Sequence, residues 1–248
     1  MRRFLLALII FLLSLSTLFA YTDSFSLYNQ NSDWKSFFRA IKDDRGKGEV
    51  ESLYDKYVSS SIDDIEKARA EYNMIRYLVD SGYKEEAEEH LENQRIIAES
   101  MENRDDYLAQ VTKLDYISSR YYVTKELFLG MENSNLTKKI YSEYPDEVSI
   151  VITNAWRLIY TPQIAGGSNK NAIKILLPLL DEIEKISEED LYSIYGALAT
   201  AYYNRKDYVA AKEYLAEALD IFSGEKTILE LKEKLDKKWG NTLLLFLA

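Results

Sequence analysis

The sequence contains no cysteine and one histidine, and has only 3 prolines and 9 glycines in 248 residues. Without cysteine there is no disulfide, no thiolate metal site, no cysteine nucleophile and no lipid carried on a cysteine. A single histidine argues against a multi-histidine metal centre, and any Ser-His-Asp relay would have to be built on His90. So few glycines and prolines disfavour a loop-rich β-sandwich, a collagen or a disordered chain. What is present is 47% hydrophobic, 29% charged and 13% aromatic, long enough to bury a sizeable core as one or two domains. The net charge of -10 argues against broad contact with nucleic-acid phosphates or adhesion to an anionic membrane.

The first twenty residues have the parts of a secretory signal: Arg2-Arg3, the apolar run Phe4 to Leu13, then Ser14, Ser16, Thr17 and Ala20. Cleavage after Ala20 is expected, which places the mature chain in the periplasm or another extracytoplasmic space. Leu18 is larger than the small residue preferred three positions before a cut. Left uncut, Phe4 to Phe19 would just cross a bilayer as an N-terminal anchor.

Residues 21–61 read as a polar strap and short helices. Asp33 is the expected cap of a helix that places Trp34, Phe37, Phe38 and Ile41 on one face. From Ile62 apolar residues recur at three and four: Ile65, Ala68, Tyr72, Ile75, Leu78 and Val79, with Gly82 as the stop. Further helices are expected over 85–101, 105–129, 147–160, 169–186 and twice in 188–222, with a turn at Gly130 and Asn133-Ser134-Asn135. No strand pattern survives, so the fold class is all-α, built from helical hairpins in series.

Within residues 192–225, Tyr195, Leu198, Ala199, Tyr202, Ala211, Leu215 and Ala218 stand in the order and spacing of a known signature. Small residues at 199, 211 and 218 let two antiparallel helices approach, and the larger ones fill the remaining space. The segment resembles the tetratricopeptide repeat (TPR) family, with Ser223 where that repeat closes on proline. A second unit fits at Ala155, Leu158, Ala172 and Leu176 if extra residues around Thr161 to Gly167 lengthen its turn. A looser one covers 68–101, where Glu71 and Ile75 depart from the pattern. The resemblance implies a right-handed α-solenoid over 62–225, followed by a capping helix and apolar run over 226–248. It further implies a concave groove for a protein or peptide partner, carried by Ser193, Gly196, Thr200, Tyr203 and Asn204 in the clear repeat and by Ser149, Ile152, Trp156, Ile159 and Tyr160 in the altered one. Trp156, Tyr160, Thr200, Tyr203 and Asn204 are the candidate binding residues, because rings offer contact area at low entropic cost and polar groups meet a backbone.

The Pro162 to Asn169 loop also resembles the extended turn of exported repeat proteins that accompany TRAP-type solute transporters. That likeness implies a periplasmic accessory holding a small apolar ligand. Elsewhere chemistry is thin. His90 is read as the i,i+4 neighbour of Glu86 on a solvated acidic face. The acid pairs at 43–44, 63–64, 105–106 and 188–189 are read as helix-start charges, and Gly166-Gly167-Ser168-Asn169 as a long turn with Ser168 as cap. No catalytic constellation, cofactor or metal is expected. Membrane contact is expected only if the leader is retained, and the apolar run 242–248 either caps the last hairpin or inserts into a partner or a membrane interface.

Overall fold

The computed structural model describes residues 21–60 and 62–246, with side chains described through Lys238. The expected leader and the side chains of the apolar run 242–248 lie outside the described residues. Among the described residues the chain is helical apart from its turns and one isolated bridge between Thr22 and Glu147. The principal helices are α1 (Ser32–Lys42), α2 (Lys47–Val58), α3 (Asp64–Asp80), α4 (Lys84–Ser100), α5 (Tyr107–Thr124), α6 (Leu127–Glu143), α7 (Val148–Tyr160), α8 (Asn169–Leu176), α9 (Glu188–Asn204), α10 (Tyr208–Ile221) and α11 (Lys226–Phe246).

Short polar side chains begin most of them by accepting the free amides of the first turn. Asn31, rather than Asp33, caps α1, accepting from the amides of Asp33 and Trp34. Asp63 and Glu66 form a reciprocal capping box on α3. Asp106, Ser168, Ser187 and Asp207 cap α5, α8, α9 and α10. The single helix expected from 105 to 129 is two, because Lys125 turns left-handed at φ 61 and ends α5. Gly130 and Asn133-Ser134-Asn135 then lie inside α6 instead of forming a turn. Gly130 stays helical because its missing side chain makes room: a Cβ there would lie 3.1 Å from the Tyr121 ring. The helix expected over 169–186 stops at Leu176, since Pro178 cannot supply the next helical N–H. A 3-10 stretch interrupted at Glu182 follows.

The helices pack as hairpins, α1 with α2, α3 with α4, α5 with α6, α7 with α8 and α9 with α10. First helices also touch first helices, α3 on α5, α7 on α9 and α9 on α11, while each second helix rests on the next first helix. The last hairpin shows why. Ala199, Ala211 and Ala218 are fully buried, which lets α9 and α10 nest, and the Tyr214 ring lies parallel to Tyr202 at 5.5 Å. Ala211→Leu would force side chain into that contact and is expected to cost about 1–3 kcal/mol, read as a lower urea midpoint with an unchanged slope.

Residues 21–60 are docked rather than trailing. The Thr22 amide donates to the Asp146 carbonyl at 2.8 Å and the Val148 amide to Thr22 at 2.9 Å. Helix α1 then meets the far end of the chain: Phe38 packs edge-on to Phe222 at 5.7 Å, and Lys42 Nζ pairs with Glu225 at 2.7 Å. The Gly224 amide donates to the Lys42 carbonyl at 2.9 Å. Only glycine fits at 224, because a Cβ would lie 2.5 Å from the Asp43 carbonyl carbon. Trp34, Phe37 and Phe38 therefore share one apolar cluster with Tyr192, Phe222 and Ile228.

Candidate partner-binding face

Side-chain contacts join the ends of α3 and α5 and the starts of α5 and α7. Tyr122 near the end of α5 donates to Asp80 at the end of α3 at 2.5 Å, while Tyr107 and Ser149, at the starts of α5 and α7, share a hydrogen bond.

On α7, Trp156 and Tyr160 are one turn apart and stack with ring centroids 5.5 Å apart and planes inclined by 10°. Trp156 is half-buried, and Tyr160 is 64% exposed. Trp156 reaches across to α9, where its Cζ2 lies 3.7 Å from the point a Cβ on Gly196 would occupy. Ile228 of α11 closes on the same point at 2.9 Å, so Gly196 is covered rather than open to a groove. Thr200 donates its hydroxyl to the Gly196 carbonyl at 2.8 Å, leaving only its lone pairs free. Tyr203 rests against Tyr208 at 5.6 Å, and the exposed Asn204 donates to Asn169 Oδ1 at 3.2 Å. The structure thus joins Trp156 and Tyr160 into one aromatic ledge, and places Tyr203 and Asn204 at the hairpin turn beside the start of α8. Ile152 and Ile159 are buried; α7 is enclosed by α6, α8 and α9, so these two fill the core and present nothing to a partner.

The interior also carries charge, most of which the sequence does not reveal. The Arg69 guanidinium lies 4.5 Å from the Trp34 ring and 4.6 Å from Phe25, donates to Asn29 Oδ1 at 2.6 Å, and stands 3.5 Å from Glu189. Both oxygens of buried Glu189 accept from Trp34 Nε1, at 2.8 and 2.9 Å. Burial pushes the Glu189 carboxyl up to about 7, opposed by Arg69 and the Trp34 hydrogen bond. Burial likewise pushes Asp115 up to about 7 against the pull of Arg69 and Arg76. It carries Asp190 up to about 6, with the charge of Asp23 adding to the rise. Arg76 donates to the Tyr72 hydroxyl at 3.2 Å and stacks 4.5 Å from the Tyr122 ring. It lines a cavity of ≈ 610 Å³ together with Asn73, Asp80, Tyr83, Glu225 and Leu229. A sequence signal for this interior is the run Arg69, Tyr72, Asn73 and Arg76 at helical spacing on α3.

Two sequence readings are corrected. His90 does not face Glu86: its Nδ1 lies 2.6 Å from Oε2 of Glu71 on the preceding helix, while Tyr54 donates to Oε1 of the same carboxylate at 2.7 Å. Glu71 breaks the repeat pattern because it serves these two partners from a buried position, and Glu86 instead pairs with Lys47. Among the acid pairs, Asp43-Asp44 closes α1 rather than opening a helix, with Asp44 at φ 50. The Gly166 to Asn169 stretch is a turn folded back on α7: the Ser168 amide donates to the Leu158 carbonyl at 2.8 Å, and its hydroxyl accepts from Asn171 at 3.2 Å. No protein-family model, curated protein or solved structure matches this chain.

Proposed function

We propose that this chain is an exported, noncatalytic binding scaffold of TPR type. In this reading its hairpins follow a right-handed superhelical course, and a protein segment, as extended peptide or helix, lies along the first helices. Support comes from the nested alanines of the last hairpin and from the succession of hairpin and first-helix contacts. The observation that carries the proposal is the Trp156–Tyr160 stack, whose outer ring is left largely exposed on a rigid helix. A large aromatic surface held in place by its neighbour loses little entropy on binding. Tyr203 and Asn204 extend the same face toward the hairpin turn.

The test is affinity capture of a partner by the mature chain from an extracytoplasmic extract, set beside the Trp156→Ala/Tyr160→Ala variant. The partner should be retained by the native chain and weakened by about tenfold or more in the variant, both compared at a temperature where each is folded, since Trp156→Ala also removes packing against α9 and lowers the melting temperature. Equal capture by both would remove these rings from the binding site.

A second reading is a ligand-holding accessory of a solute transporter; the cavity beside Arg76 is lined mainly by charged and polar side chains rather than the apolar ones that reading expects. Native mass spectrometry separates the two, because an accessory carries a small molecule through gentle purification and a scaffold does not.

A further inference from the structure

The cavity beside Arg76 is built from three stretches far apart in the chain: the end of α1 with the turn after it (41–47), the end of α3 with its turn (73–83), and the start of α11 (224–233). Its volume of ≈ 610 Å³ falls within the ~300–1,000 Å³ usual for small-molecule sites. Neither proposed function accounts for the way its charges are disposed.

Three half-buried cations line it. Lys42 pairs with Glu225, and Lys47 with Glu51 and Glu86. Arg76 has no carboxylate at ion-pair distance among the described residues: Glu225 and Asp80 act on it through charge alone, because Lys42 holds the first and Tyr122 the second. The Arg76 guanidinium rests on the rings of Tyr72 at 5.6 Å and Tyr122 at 4.5 Å. It makes one hydrogen bond, to the Tyr72 hydroxyl, of the five its N–H groups can donate. Set against two rings, it keeps a fork of donors for a planar anion, and a carboxylate takes such a fork through two parallel hydrogen bonds.

The outer part of the cavity carries the opposite sign. Asp44 and Glu230 are exposed and have no ion pair among the described residues, whereas Glu233 is met by Lys237 at 3.5 Å. Lys226 is exposed as well. Setting aside Asp80, which accepts from Tyr122, the lining charges without an ion pair are Arg76 and Lys226 against Asp44 and Glu230, and they cancel.

We propose that this cavity binds a small zwitterion, a free amino acid or a short peptide, with its carboxylate on Arg76 and its ammonium toward Asp44 and Glu230. Ile41 and Leu229 supply apolar surface for a side chain. A dianion such as phosphate would meet two unpaired carboxylates on entry, and a polyamine would set a cation against Arg76. The assignment stands apart from the partner-binding face, since neither Trp156 nor Tyr160 lines the cavity. One carboxylate–guanidinium contact close to solvent leaves such a ligand in exchange rather than carried through purification, so the test adds it back.

The experiment is a thermal-shift and calorimetric titration of the mature chain from Tyr21, which holds every described element, with the common L-amino acids and an alanyl-leucine dipeptide. At least one should raise the melting temperature by about 2–4 °C at several-fold excess over its dissociation constant. Its C-terminal amide, without the anion, and its N-acetyl form, without the cation, should each bind about tenfold or more weakly. Arg76→Lys keeps the charge, loses the planar fork and should weaken the zwitterion about tenfold. Asp44→Asn/Glu230→Gln lies on exposed positions and should weaken the zwitterion but not its N-acetyl form, which decides the matter should Arg76→Lys fail to fold. Absence of binding by every probe, an amide that binds as tightly as the acid, or affinity that the folded variants leave unchanged overturns the proposal. So does tighter binding of acetate or inorganic phosphate, because the cavity then takes a simple anion.

Discussion

Trp34→Ala lowers the stability of the fold by about 3–5 kcal/mol, the range for truncating a large aromatic side chain in a core. Trp34 is fully buried, and its ring contacts Phe37, Phe38 and Tyr57. The substitution does more than open a cavity. It removes the hydrogen-bond donor shared by both Glu189 oxygens, leaving a buried carboxylate with Arg69 at 3.5 Å as its remaining partner among the described residues, and it takes away one of the two rings on which that guanidinium rests. Trp34→Phe separates the contributions, because it keeps most of the packing and loses the N–H; about 1–3 kcal/mol is expected. Urea titrations of the two variants provide the measurement. A loss below about 1 kcal/mol for Trp34→Ala would mean that the contact between α1 and the last hairpin does not hold the molecule together.

The second large effect is on pH dependence, and its sign is opposite to that of a salt-bridged carboxylate. Burial holds Glu189 at about 7 in the fold against an ordinary value of 4.5. Between those values the folded state therefore binds more protons than the unfolded one. The stabilisation is complete below about 4.5, declines as pH rises and has gone above about 7. The slope approaches about 1.4 kcal/mol per pH unit for each such proton. Asp115 and Asp190, raised to about 7 and about 6, add the same sign from about pH 4 upward. Glu225 opposes them: its carboxyl is depressed despite burial, by the charge and hydrogen bond of Lys42, so its contribution is present above 4.5 and is lost as pH falls. The denaturation midpoint should drop between pH 5 and pH 7.5, and Glu189→Gln should flatten that drop while keeping an acceptor for Trp34. A midpoint that rises across the interval would show that the interior carboxylates are solvated.

The helices themselves were legible because their signals are local. Apolar spacing located the last hairpin, and Ala199, Ala211 and Ala218 are buried where the spacing places them. Errors fell where a local signal had a tertiary answer. Gly130 looks like a stop, yet Tyr121 fills the space over it. His90 has an acidic neighbour at the right helical interval, yet its partner belongs to another helix. The binding residues were only partly legible: Trp156 and Tyr160 stand together as one ledge, but no periodicity could foresee that Ile228 would close over Gly196. The charged interior was the least legible. Arg69 and Glu189 are 120 positions apart in sequence, and nothing local to either indicates the other.

The docking of α1 on the last hairpin has a kinetic and cooperative consequence. A linear array can fray from one end and begin to form from either, each unit depending only on its neighbours. Here the hydrogen bonds from Trp34 to Glu189 and from Gly224 to Lys42 bridge separations of 155 and 182 residues. The first helix to be synthesised has no docking surface until almost the whole remaining chain has followed it. Completion of the fold is thus deferred to a late, high-contact-order step, and loss of the last hairpin should melt the N-terminal helices along with it.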